Sequence, residues 1–405
     1  MNPLLPGAAS VLPPPALAGK PAWSVSLAPL HDRHALAREW RALEQISQAS
    51  FFLSWHWVGT LLESAVGADA PEVLRVMNGT ALRGLALLWR SQQRRHGLVH
   101  SRVLHLNETG RLEFDRLTLE HNSLLAAAGD ENAVLQAAVA HLARLPGWDE
   151  CSLSGVDAAV EQVLHEAAVQ QGLWFRQRWA KTFHYISLDD VRRLGGDYLE
   201  NLSANTRYQA RRAMKGYAAL GTLACQRAGS ATQALAWFEE LVQLHQAHWM
   251  ARGEPGAFSS DFTRRFHTTL IARAWPEAAV SLLRVTAGPE LLGYVYNFER
   301  GGTASNYQSG HVAAPSNKLK PGLVVHCMAV QEALQRGLGT YDLLMGGDHF
   351  KPSLCNASGR MGWSVLQQRR LVLGIENRVR QARDRWQARR PQPASAQLGA
   401  AEGAT

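Results

Sequence analysis

Residues 318–322, Lys-Leu-Lys-Pro-Gly, have the residue types of an anion-binding turn. Pro321 suits the first position of a helix, because the N–H that it lacks would have no partner there. A helix start leaves several backbone N–H groups unpaired and carries partial positive charge, so it readily holds a phosphate or pyrophosphate. The turn therefore indicates a nucleotide-type cofactor bound through Lys318, Leu319, Lys320, Pro321 and Gly322.

The elements around this turn follow from hydrophobic periodicity and from the glycines that bound them. The pattern predicts a strand at 304–311, a helix from 321 to 337, a strand at 340–345, a polar turn at 346–351 and a strand at 363–367.

This order resembles the second half of a GNAT acyltransferase domain. The residues resemble the BioF2-like or CelD-like acetyltransferases in particular, which are relatives of the Fem-type peptidoglycan aminoacyltransferases. That branch carries K-x-x-P-G, a helix, and then a strand ending in F-D-x-x-x-G-D-x-x-Y-K. Here the same positions are Lys318 to Gly322 and Tyr341-Asp342 through Lys351, with Phe350 in place of the usual tyrosine.

The resemblance implies an acyl-CoA donor such as acetyl-CoA, no metal, and a set of catalytic residues. Asp348 is expected to accept a proton from the incoming amine, and Tyr307 and His311 are candidate proton donors. Lys351 is expected to pair with an anionic part of donor or acceptor, with His349 beside it in the substrate site. A turn cap for Asp348 and an ordinary sheet aromatic for Tyr307 explain those two residues equally well.

A basic helix is predicted before this unit. Arg207, Arg211 and Lys215 recur at four-residue spacing and so share one helix face. The segment resembles the family's arginine-rich helix, which implies that Arg207 and Arg211 bind phosphate or substrate. A solvated basic face is the alternative.

The first half of the chain shows a similar order of elements. We predict strands at 23–27, 72–77, 82–91, 103–107, 116–119, 150–154 and 183–188, and helices at 31–48, 51–62, 132–145 and 158–171. Asn78-Gly79 is typical of a hairpin turn. The fold class is therefore expected to be α/β, with mixed sheets in two tandem GNAT-like domains. Glu120-His121-Asn122 matches a family E-Y-N element in part, and it either lines a cleft between the domains or forms a strand-end turn.

The expected organisation has five parts: a proline- and alanine-rich leader at 1–21, an N-terminal domain at 22–190, a catalytic domain at 191–370, a basic amphipathic helix at 371–390 and a tail at 391–405.

The net charge of +8 is concentrated near the C-terminus, where residues 369–390 hold eight arginines and two acids. No basic stripe with interleaved aromatics runs along the rest of the chain, which argues against dedicated nucleic-acid binding. The last helix has apolar residues at helical spacing, namely Leu371, Ile375, Val379, Ala382 and Trp386. We expect it to dock on the domain through them, and peripheral contact with anionic lipid is the alternative.

Cysteine and histidine spacing excludes further classes of site. The four cysteines form no CxxC pair and the histidines no HExxH motif, so neither a disulfide framework nor a metal site is predicted. The N-terminus lacks the basic start of a secretory signal, and no apolar run reaches membrane-spanning length. We therefore expect a cytoplasmic protein.

The leading functional expectation is an acyl-CoA-dependent N- or O-acyltransferase. The resemblance alone implies its acceptor, a small molecule or glycan precursor of sugar, amino-sugar or amino-acid type, used in envelope or exopolysaccharide synthesis. One alternative is a Fem-like enzyme with an aminoacyl-tRNA donor. Predicted helices at 231–246 and 260–273 are too short and apolar for the paired arms that Fem proteins often insert. The other alternative is a binding protein that kept the fold and lost activity.

Overall fold

The computed structural model describes residues 23–95, 99–314, 316–346 and 350–388. The expected leader at 1–21 and tail at 391–405 lie outside these residues. The strands are β1 (Trp23–Pro29), β2 (Glu72–Asn78), β3 (Ala81–Arg95), β4 (Val99–Leu106), β5 (Leu125–Ala126), β6 (Glu150–Asp157), β7 (Trp174–Ser187), β8 (Leu223–Arg227), β9 (Val280–Ala287), β10 (Glu290–Arg300), β11 (Thr303–His311), β12 (Thr340–Met345) and β13 (Ala357–Gln367). The helices are α1 (Arg33–Glu44), α2 (Trp55–Ser64), α3 (Leu112–Asp115), α4 (Glu131–Arg144), α5 (Ala158–Gln170), α6 (Leu188–Arg193), α7 (Ala204–Ala218), α8 (Ala231–Met250), α9 (Asp261–Ala274), α10 (Pro321–Gln335) and α11 (Leu371–Ala388).

The strands form one mixed sheet of two similar halves. From edge to edge the order is β1-β2-β3-β4-β6-β13-β7-β12-β11-β10-β9-β8, with β5 beside β3. In the first half, β1 to β4 run antiparallel and β6 is parallel to β4. In the second half, β8 to β11 run antiparallel and β12 is parallel to β11. A parallel neighbour requires a crossover, which contains α4 in the first half and α10 in the second. The predicted mixed α/β fold with two tandem halves is confirmed.

The last strands of the two halves are exchanged. β13, from the end of the chain, pairs with β6 of the first half, and β7 of the first half pairs with β12 of the second. β7 and β13 also pair with each other at the centre of the sheet. The domain boundary expected between residues 190 and 191 falls within α6. The exchange therefore joins both halves in one continuous sheet.

Helices cover this sheet in three apolar clusters. α4 and α5 pack on the first half, and α7 and α10 pack on the second. A third cluster, from α1, α2, α8 and α9, spans both halves. At its centre the Trp57 ring lies 4.9 Å from Phe266 and 5.7 Å from Phe298. This shared core holds the halves at a defined separation.

Two sequence predictions in the first half can be compared directly with the structure. The hairpin turn after Asn78 is confirmed, since β2 and β3 pair across it. The predicted strand at 116–119 is wrong, because this segment is an irregular loop after α3 and Thr118 has a φ of 55°. That value lies outside the β region. Leu117 and Leu119 are nevertheless buried. Their alternation therefore indicated which side chains are buried, although these residues do not form a strand.

The C-terminal helix α11 contacts the body with a different face from the predicted one. Leu373 is buried, Gly374 lies against Trp174, and Asn377 Nδ2 donates to Gln367 Oε1 at 2.8 Å. The periodic apolar residues before residue 380 point to solvent instead. The described helices include none that is long and apolar enough to cross a membrane.

Candidate active site

A cavity of about 1060 Å³ opens where β11 and β12 separate. The two strands pair only over Thr303–Ser305 and Thr340–Asp342, although both continue further. The cavity lies between their ends, and its lining includes the start of α10, one face of α7, the end of α8 and the 115–120 loop of the first half. Residues from both halves of the chain therefore meet in it.

The equivalent gap in the first half is filled by protein. β4 and β6 pair only over Val103–His105 and Glu150–Ser152. Beyond that point Asn122 bridges the strands, because its Nδ2 donates to Leu106 O at 3.1 Å and to Ser154 O at 3.0 Å. Within the described residues, the open gap that can admit a ligand is therefore the one in the second half.

The predicted anion-binding turn forms one wall of this cavity. Lys320, Pro321 and Gly322 line it, whereas Lys318 is exposed and lies outside the lining. Pro321 is the first residue of α10, and the preceding residue supplies no side-chain cap. Lys320 Nζ donates to Gln209 Oε1 of α7 at 2.5 Å. Leu319 packs against Gly216 of α7, so it anchors the turn.

β11 carries a bulge at the cavity. Asn306 is paired with Asn297 and Gln308 with Tyr296, so Tyr307 is the extra residue. A bulge interrupts the hydrogen-bond ladder and redirects the backbone. Beyond Ser305 no described strand pairs with the edge of β11 that faced β12, and this edge runs along the cavity.

Tyr307 projects from this bulge into an aromatic cluster. Its hydroxyl donates to Leu117 O at 2.8 Å, and its ring centroid lies 4.7 Å from His267 and 4.8 Å from Phe298. Burial raises the pKa of Tyr307 above its ordinary value, with Glu120 adding to the effect. The Tyr307 hydroxyl therefore stabilises the 115–120 loop by donating its proton to the Leu117 carbonyl.

We expect Tyr307→Phe to lower the free energy of unfolding by about 1 kcal/mol, because the Leu117 carbonyl loses its donor. Urea denaturation would measure this loss, with exposed Tyr208→Phe as the matched control. Turnover is expected to stay near that of the unaltered protein. A drop of more than about tenfold in turnover would instead support the predicted role of Tyr307 as proton donor.

Two histidines line the cavity near the α10 turn. His311, predicted from sequence, lies against Gly322, and its Nδ1 is 3.1 Å from Val312 O. His326 was not predicted; it is buried, and its Nε2 lies 3.3 Å from Ser309 Oγ. Its Nδ1 has no hydrogen-bond partner among the described residues. Burial lowers the pKa of His326 to about 3, so its ring is neutral.

Two carboxylates that were not predicted as catalytic also line the cavity. Glu120 is buried and accepts a hydrogen bond from Met345 N, at the end of β12, at 2.9 Å. Burial raises the pKa of Glu120 to about 7, and the nearby Asp342 adds to the shift. Burial likewise raises the pKa of Glu108 to about 8, with Asp115 contributing. The partial E-Y-N match had marked Glu120, but nothing in the sequence separated Glu108 from an ordinary surface acid.

The predicted substrate-binding residues have other partners. Arg207 and Arg211 both pair with Glu200, and the lining residues of α7 are Asn205, Thr206 and Gln209 instead. The shared helix face is real, but it points away from the cavity.

Lys351 does line the cavity. Its Nζ donates to three carbonyls at the end of β12, those of residues 343, 344 and 345. Asp348 and His349 lie outside the described residues, so their roles stay predictions.

His121 joins the two halves beside the cavity. Its Nδ1 lies 2.9 Å from Asp157, at the end of β6, and its Nε2 lies 2.8 Å from Asp342 of β12. Burial by itself would lower the pKa of His121, but the hydrogen bonds to both aspartates outweigh it and raise that pKa to about 10. The ring is therefore a half-buried imidazolium held between two carboxylates.

A metal site requires a group of ligating side chains, and thiol chemistry requires an ionised cysteine. Among the described residues, no group of three or more histidine, cysteine or acidic side chains could hold a metal ion. Cys327 of α10 is a free thiol, and burial raises its pKa to about 12. Such a thiol stays protonated and is a poor nucleophile.

Comparisons with known proteins agree with this geometry. Residues 204–352 match the acetyltransferase (GNAT) domain family. Among solved structures, FemX is similar over 82% of this chain and 96% of its own, at 11% identity and a TM-score of 0.54. A conserved protein of unknown function from Bacteroides thetaiotaomicron is similar over 85% of this chain and 100% of its own, at 7% identity and a TM-score of 0.52.

At these identities the structural likeness concerns the fold alone. No curated protein matches the chain. The open gap beside β11, the α10 turn and the family match agree on the same part of the molecule. We conclude that residues 204–352, in the second half of the chain, are the part that is similar to the GNAT acetyltransferase domain.

Proposed function

We propose that the protein is an acyl-CoA-dependent acyltransferase that acylates a sugar, amino-sugar or amino-acid-like acceptor. The observation that carries this proposal is the open gap between β11 and β12. It reaches from the start of α10 to Glu120, so one cavity contains both an anion-binding turn and a titratable carboxylate.

The donor would bind along β11. The first-turn N–H groups of α10 and the ammonium of Lys320 suit the diphosphate of CoA. The amide groups of its flexible arm can pair with the free edge of β11, as an added strand would. This path brings the thioester to the bulge at Tyr307.

The residues near the bulge supply what acyl transfer requires. A backbone N–H at the bulge hydrogen-bonds to the thioester oxygen and stabilises the charge that develops there. The acceptor amine or hydroxyl attacks the carbonyl carbon while Glu120 takes its proton. The carbon–sulfur bond then breaks, and we expect His311 to donate a proton to the leaving thiolate.

The acceptor would occupy the part of the cavity lined by the first half. Trp179 and Trp363 stack there, with ring centroids 3.6 Å apart, and Trp179 is 45% exposed. An exposed aromatic face suits the apolar side of a sugar ring, and the nearby carboxylates Glu108 and Asp115 suit an amine or hydroxyl. These features favour an amino-sugar within the acceptor class that the family resemblance implies.

Calorimetric titration with CoA and acetyl-CoA tests the donor. We expect micromolar binding, weakened roughly tenfold by Lys320→Ala, since a charge-assisted hydrogen bond contributes about 1.5–3 kcal/mol. Lys318→Ala is the matched control, because that lysine precedes the same turn but does not line the cavity. Equal losses from both substitutions would contradict binding at this turn.

The alternatives predict different outcomes of the same titration. An aminoacyl-tRNA donor would leave CoA without measurable heat while the protein retained charged tRNA. Nothing in α8 or α9 favours this reading, because both helices bury their apolar faces in the shared core rather than projecting as arms. A binding protein without activity would bind neither donor.

A further inference from the structure

Helix α11 exposes an apolar strip. Leu371 is 88% exposed, Val372 48%, Ile375 62% and Val379 64%. Three of these residues recur every four positions, so they form one line on the side away from Leu373, Gly374 and Asn377. Removing such a line of side chains from water is favourable, which indicates a surface that is covered by a partner.

Arginines surround this apolar strip. Residues 369–390 contain eight arginines and two acids. One of the acids, Glu376, pairs with Arg380, and Asp149 of the body pairs with Arg370. Arg369 and Arg378 are exposed beside the strip. The partner must therefore accept both apolar side chains and a strong positive charge.

A second cavity, of about 820 Å³, lies between α11 and the start of β7. Its lining, as far as the described side chains go, includes Leu371 and Ile375 of the apolar strip and no carboxylate. It also includes six arginines: Arg176, Arg178, Arg369, Arg370, Arg378 and Arg380. Acidic side chains outside the cavity compensate part of this charge, because Arg178 pairs with Glu150, Arg370 with Asp149 and Arg380 with Glu376. The remaining surplus suits a phosphate group.

We propose that α11 and this arginine-lined cavity dock the protein on a membrane surface that contains anionic phospholipid. The apolar strip enters the boundary between headgroups and acyl chains, and a lipid phosphate occupies the cavity. A second copy of the chain fits less well, because the same arginines would face each other across the contact. This inference does not depend on the acyltransfer reaction.

Vesicle flotation of the full chain tests this docking. We expect binding to vesicles of phosphatidylcholine mixed with phosphatidylglycerol, no binding to phosphatidylcholine alone, and loss of binding at high salt. Changing Leu371, Ile375 and Val379 together to serine should lower the affinity at least about tenfold. The matched control changes Val66, Val169 and Leu194 to serine, since these side chains are equally exposed elsewhere.

Arg369→Gln with Arg378→Gln should weaken binding to the anionic vesicles and flatten its salt dependence. Equal binding to neutral vesicles, or absence of binding to either kind, would overturn the proposal. Sedimentation would show whether a second copy of the chain covers the apolar strip instead. In that case the unaltered protein and the control variant would be dimers, and the triple variant at Leu371, Ile375 and Val379 would be a monomer. Unchanged thermal unfolding of each variant confirms that the body remains folded.

Discussion

Replacing Glu120 with glutamine is expected to lower the rate of acyl transfer about 100-fold, the effect of removing a positioned general base. Glutamine keeps an oxygen that can accept the hydrogen bond from Met345 N, so the fold and donor affinity should be preserved. The rate is measured with saturating acetyl-CoA, and calorimetry checks that CoA still binds. Glu113→Gln, at an exposed acid paired with Arg111, serves as the control.

The pH dependence provides a second signature of Glu120. A general base acts in its ionised form, so kcat/KM should rise with pH and level off above about 7, the raised pKa of this carboxyl. That inflection should disappear in the glutamine variant. A full rate in Glu120→Gln, with the loss found in Glu108→Gln or Asp348→Asn, would transfer the role to one of those residues.

Replacing His121 with alanine is expected to destabilise the protein by about 3 kcal/mol, because the buried Asp342 loses its cationic partner. The variant leaves the buried Asp342 and the partly buried Asp157 without their shared cation. Urea denaturation measures the loss. Arg264→Ala, at an exposed pair with Asp261, should leave the free energy of unfolding nearly unchanged.

The stability that His121 contributes is expected to decrease as pH rises. The pKa of His121 rises from 6.5 to about 10 in the folded protein. Its stabilising effect is therefore complete below pH 6.5 and disappears as pH rises through about 10. The stability difference between His121→Ala and the unaltered protein should shrink accordingly.

Adding Asp342→Asn to His121→Ala should recover part of the stability, since it removes the stranded charge. A pH-independent deficit, or a double variant less stable than the single one, would contradict the proposed charge bridge.

The local features of the second half could be predicted without coordinates. The helix beginning at Pro321, the strand at 340–345 and the turn before α10 depend on residues close together in the chain. Proline at a helix start and alternation in a strand act over a few residues. For the same reason the hairpin after Asn78 was predictable.

The assembly of the cavity depends on contacts between distant residues. Glu120 meets Met345 because the first-half loop reaches the end of β12, and β7 and β13 are exchanged between the halves. Period and spacing identify which residues share a face, but not what that face contacts. The spacing of Arg207 and Arg211 was accordingly right, while Glu200 rather than the cavity faces them.

The same distinction applies to α11. The helix was predicted from the spacing of its apolar residues, and it is present in the structure. Which side meets the body was decided by Gly374, whose missing side chain admits Trp174, and by the bond from Asn377 to Gln367. Close packing and one polar contact outweighed the apolar strip at this interface. Both depend on partners that lie ten or more residues away in the chain, and neither leaves a periodic signal in the sequence.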